Sequence, residues 1–131
     1  MIGLDTNVLV RYLTQDDPVQ AARAGALLTD ATARGGRCYV SAVVLCELVW
    51  VLREAYQQSK PQIVDTLDRI LSTRQFEIGD KDVVRAALDT FRSGRGDFAD
   101  YVIGEMHRAA GCDGTATFDR RLGGAPGFRL L

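Results

Sequence analysis

Ile2-Gly3-Leu4-Asp5-Thr6-Asn7-Val8-Leu9-Val10-Arg11-Tyr12-Leu13 opens the chain and decides how the rest of it reads. A brief apolar run ends in an acid, Asp5. From Thr6 onward the apolar spacing turns helical, with Val8, Leu9, Tyr12 and Leu13 on one side. Strand, acid, helix is thus the first pattern, and the alternation continues downstream. Asp16-Asp17-Pro18 starts a second helix, with an acid to cap and proline in the first turn. It runs to about 33 and stops at Gly35-Gly36.

A second strand is predicted over 38–40, after which Ser41 caps a very apolar helix over about 42–56. Ser59-Lys60-Pro61 opens a helix to about 73, with Ile63, Leu67, Ile70 and Leu71 facing inward. A third strand follows over 76–78, and Asp80 is expected to cap a helix over 81–92. After the loop Ser93-Gly94-Arg95-Gly96, Asp97 caps a helix to about 110. Strands over 115–118 and 128–131 flank a turn at 119–122. Alternating strands and helices imply an α/β fold: a mostly parallel sheet covered on both faces. In such folds ligands bind beyond the carboxyl ends of strands. Asp5 and Asp119 each fall immediately after an apolar strand.

The 131 residues suit one domain, 1–131, with a single core. Hydrophobic content of 47% and charged content of 25% are ordinary for a globular protein. No segment approaches the roughly 20 apolar residues of a membrane span. The opening residues show neither a basic n-region nor a cleavage site, so a cytoplasmic protein is expected. Cys38, Cys46 and Cys112 are odd in number and lack CxxC spacing, which favours reduced core thiols over zinc ligands or disulfides. A net charge of −1 denies the broad basic field of a high-affinity DNA-binding module. It leaves room for an enzyme that holds nucleic acid briefly through local arginines and a metal.

The acids carry the chemistry. Glu47 is the only charged side chain between Ala42 and Leu52, in Ala-Val-Val-Leu-Cys-Glu-Leu-Val-Trp-Val-Leu. A helix apolar nearly all round is expected to be buried, and a buried carboxylate needs a partner. The bland alternatives are an exposed spot on a sticky helix or pairing with Arg53. Asp97 and Asp100 are three apart at a helix start and share a face. Asp97 suits a cap, whereas Asp100 is the better ligand. Asp119 reads either as a ligand or as a turn residue paired with an arginine, with Thr117 two residues back on the same strand face. Several carboxylates together suit a divalent cation of the Mg²⁺ or Mn²⁺ type far better than zinc. His107 reads as a surface or half-buried histidine, and Trp50 as core or part of a partner patch.

These segments resemble the PIN-domain ribonucleases, and within them the VapC toxins of bacterial type II toxin–antitoxin systems. The resemblance is carried by 2–13, Gln15-Asp16-Asp17-Pro18, 41–52, Asp97-Phe98-Ala99-Asp100 and Thr117-Phe118-Asp119-Arg120. It implies an α/β/α sandwich with a central five-stranded parallel sheet and an acidic pocket for Mg²⁺ or Mn²⁺. Asp5, Glu47 and Asp100 match the family's core acids, Asp119 a fourth, and Asp97 an acid found in part of the family. Asn7 and Thr117 match supporting polar positions. A homodimer and a VapB-like antitoxin partner are implied as well, the antitoxin inserting a C-terminal segment into the toxin's groove.

The activity so implied is endonucleolytic hydrolysis of RNA that inhibits translation, with Arg11, Arg120 and Arg121 as candidate phosphate contacts. Two other classes fit the alternation. A phosphoaspartyl enzyme would need a second Asp where Asn7 stands, and a receiver a late lysine, but the only lysines are Lys60 and Lys81. A non-catalytic PIN-like domain binding RNA or protein would not need every core acid.

Overall fold

The computed structural model describes Met1–Leu131 throughout and divides into two compact units, Met1–Gly79 and Asp80–Leu131. The first contains β1 (Ile2–Gly3), α1 (Thr6–Thr14), α2 (Pro18–Ala33), β2 (Cys38–Val40), α3 (Ala42–Glu54), α4 (Lys60–Ser72) and β3 (Phe76–Ile78). The second contains α5 (Lys81–Ser93), α6 (Phe98–Ala109), β4 (Thr115–Thr117), a 3-10 turn at Arg120–Leu122, and β5 (Phe128–Leu130).

Helix starts follow side-chain chemistry. Asp17 Oδ1 accepts the Gln20 N–H at 3.0 Å, and Ser41 Oγ accepts from Val44 N at 3.2 Å. Ser59 and Gln62 close a reciprocal capping box on α4. Asp80 departs from expectation. It sits in the left-handed region at φ 51° with no side-chain cap bond, so it serves to turn the chain from β3 into α5. Aspartate tolerates that conformation better than most residues.

In the first unit β2 lies between β1 and β3 and both pairings are parallel. Cys38 and Val40 point into the core while Tyr39 alternates outward. α4 buries Ile63, Leu67, Ile70 and Leu71, the face its periodicity predicts. Each such side chain contributes roughly 1.5–3 kcal/mol of burial. In the second unit α5 packs on α6, with Phe91 and Phe98 edge to face at 5.9 Å.

The five-stranded sheet is not what forms. All the expected strands exist and every pairing is parallel, but β1-β2-β3 makes one ladder and β4-β5 another. The strands are two or three residues long, too short for their pattern to dictate a single five-stranded ladder. The helix α3 brings a second correction. Ala42, Leu45, Leu48, Val49 and Leu52 are buried, whereas Val43 and Trp50 are 65% and 59% exposed, and Glu47 lies on the exposed side with them. Trp50 is therefore not core, and Glu47 is not a buried carboxylate. Spacings of four and three residues put 43, 47 and 50 on one stripe.

Candidate active site

Asp5 follows β1 after Leu4 and is the N-cap of α1, its Oδ1 accepting the Thr6 N–H at 2.8 Å. Cap and strand-end acid are thus one residue, placed by the strand-to-helix turn. Asn7 is exposed in the first turn of α1 and lines an open groove with Arg11, Gln20 and Arg23. Arg11 is already held in place. Its Nε donates to Gln20 Oε1 at 2.7 Å, and its terminal nitrogen reaches Asp16 at 3.2 Å, where the Tyr56 hydroxyl also donates. Glu47 stands on the exposed stripe of α3, and Arg53 meets Glu54 at 3.2 Å.

The second unit gathers its acids more tightly. Asp97 caps α6, and Asp100 Oδ2 accepts the Asp97 backbone N–H at 2.8 Å. Asp119 follows β4 and caps the 3-10 turn, its Oδ1 accepting from Arg121 N at 2.9 Å. The Thr117 hydroxyl accepts the Asp119 N–H at 3.0 Å, so it fixes the backbone of the acid rather than the carboxylate.

One guanidinium joins these acids. Arg121 donates Nε to both oxygens of Asp119 at 3.1 Å and a terminal nitrogen to Oδ2 at 2.7 Å. The same side chain stands 3.6 Å from Asp100 Oδ2 and 3.5 Å from Asp97 Oδ1. Its hydrogen bonds hold the Asp119 carboxyl below the usual range, and Asp119 in turn raises the Arg121 pKa. The sequence suggested Arg121 as a phosphate contact and an arginine partner for Asp119. That it also reaches Asp97 and Asp100 follows only from the fold. Arg120 is exposed beside it, and the exposed His107 ring sits 2.9 Å from the Thr115 hydroxyl.

The donor set fits a hard divalent cation in chemistry, being carboxylate oxygen without thiol or imidazole. A positive charge already stands among three of the acids as a stand-in. In the conformation described, no three His, Cys, Asp or Glu side chains are close enough to share one ion. Thiol catalysis has no footing. Burial raises Cys38 and pushes Cys46 to about 11, so both stay protonated, and Cys112 is exposed rather than in the core.

Parallel strands joined by helices, with Asp5 and Asp119 capping the turns after β1 and β4, define an α/β protein with acids at strand ends. A model of the PIN domain matches residues 2–126, and the chain belongs to that family. It is also similar to a VapC ribonuclease of Aquifex aeolicus (strain VF5), with 24% identity over 120 residues, covering 91% of this chain and 87% of the relative. No helix is long and apolar enough to cross a membrane.

Proposed function

We propose that this PIN domain is a Mg²⁺- or Mn²⁺-dependent endoribonuclease, the toxin of a type II toxin–antitoxin pair that inhibits translation. The observation that carries this reading is the convergence of Asp97, Asp100 and Asp119 on a single positive charge. Family membership and the similarity to a VapC ribonuclease support it.

In this reading Asp5, Asp100 and Asp119 would hold the cation, directly or through water, and Glu47 would either ligate it or orient the attacking water. The bound cation supplies charge stabilisation at the phosphate and acidifies water near neutral pH. Asn7, Thr117 and Asp97 position the acids. Asp97 does so through the α6 cap, which fixes Asp100 by its backbone amide. Arg11, Arg120 and Arg121 contact phosphates. The partners are RNA, a VapB-like antitoxin and a second copy of the chain, acting in the cytoplasm. The exposed Val43–Trp50 stripe offers apolar surface for a protein partner.

Incubating the purified chain with end-labelled RNA tests the reaction. Cleavage with added Mn²⁺, giving 5′-phosphate and 3′-hydroxyl ends, supports it. Binding of RNA without cleavage under any divalent ion supports the non-catalytic alternative instead.

A further inference from the structure

Arg121 holds both oxygens of Asp119 and lies within 4 Å of Asp97 and Asp100. Each of those oxygens offers lone pairs that a directly bound divalent cation would need at a much shorter distance, about 2.0–2.1 Å for Mg²⁺. A guanidinium and a dehydrated cation cannot share the same Asp119 lone pairs, and their like charges repel at such range. Arg121 is only two residues from Asp119, on a 3-10 turn that Asp119 itself caps. The arginine is therefore covalently tethered next to the acid it neutralises, at a high effective concentration.

We propose that Arg121 is a built-in counter-cation that competes with the divalent ion for Asp100 and Asp119. Loading of the metal requires the guanidinium to leave Asp119, so the residue sets the metal concentration at which the acids become available. By reciprocity, whatever draws Arg121 away from the acids strengthens metal binding by the same factor. An anionic group such as an RNA phosphate is a chemical competitor for the fork. The inference rests on the metal-dependent reading above and concerns the cost of filling that site.

Mn²⁺ titration of the full chain, read by the electron paramagnetic resonance signal of free Mn²⁺, tests it without reference to activity. R121Q is expected to bind Mn²⁺ about tenfold more tightly than wild type, the scale of one lost charge-assisted hydrogen-bond pair. R121K, which keeps the charge and loses the fork, falls between. R120Q removes the neighbouring exposed charge and should bind within about twofold of wild type. Equal or weaker binding by R121Q overturns the competition while leaving a metal site in place. No Mn²⁺ binding by any of the proteins overturns the metal-dependent reading itself. Wild type gives a readout independent of the variants' folding: the Arg121 Nε–H resonance, protected without metal, should lose that protection as Mg²⁺ is added. A resonance unmoved at saturating Mg²⁺ contradicts the proposal.

Discussion

Asp119 gives both carboxylate oxygens to the guanidinium of Arg121, the closest contact being 2.7 Å. The pairing lowers the Asp119 pKa, so its contribution to stability is present above the unfolded value near 3.9 and fades as pH falls through the folded one. In R121Q the Asp119 carboxyl should titrate higher, back toward the ordinary range. Carboxyl carbon shifts followed by NMR between acid and neutral pH measure this. An unchanged midpoint would mean that another group sets it.

Glu47 tests the exposed stripe of α3. Because its side chain is in solvent, Glu47→Gln should alter unfolding free energy by no more than about 0.5 kcal/mol. As a proposed member of the acidic site, its loss should lower RNA cleavage by about 10²-fold or more. Urea melts and initial rates on the same preparation separate the two. A large loss of stability would return Glu47 to the core.

Trp50 is the single tryptophan and is 59% exposed, so its fluorescence reports that stripe alone. Acrylamide should quench it readily in dilute protein. If α3 forms the contact between copies, quenching will weaken as protein concentration rises. Protection in dilute monomer would contradict the exposed placement.

Gly104 lies on α6 where an added Cβ would meet Phe128 Cζ at 2.8 Å, against a ring already edge to face with Tyr101. Gly104→Val should therefore cost about 1–3 kcal/mol through overpacking. Chemical denaturation reads the loss. A neutral substitution would mean that the Phe128 ring moves aside freely.

Much of the local structure is written in periodicity and caps. The α4 face, the bounds of β2 and β3, and the caps at Asp17, Ser41 and Ser59 all follow from nearest-neighbour chemistry. Glu47 was less legible, because an unbroken apolar stretch raises hydropathy without revealing which stripe faces solvent. The sheet was less legible still. Strands of two or three residues carry too little pattern to encode which ladder they join. At the site, the sequence places Asp5 and Asp119 after their strands and Asp97 and Asp100 at a helix start. The reach of Arg121 to Asp97 and Asp100 depends on how α6 and the 3-10 turn meet, which no local pattern records.

Asp100→Asn gives the sharpest test of metal-dependent RNA cleavage. Asparagine keeps an acceptor oxygen for the Asp97 N–H, so the start of α6 should survive and the variant should melt like wild type. Its lost negative charge should reduce Mn²⁺-supported cleavage at least about 10²-fold. Wild type should lose cleavage in EDTA and regain it with Mn²⁺. A folded Asp100→Asn protein that cuts RNA at the wild-type rate, or a wild type indifferent to EDTA, would contradict the assignment.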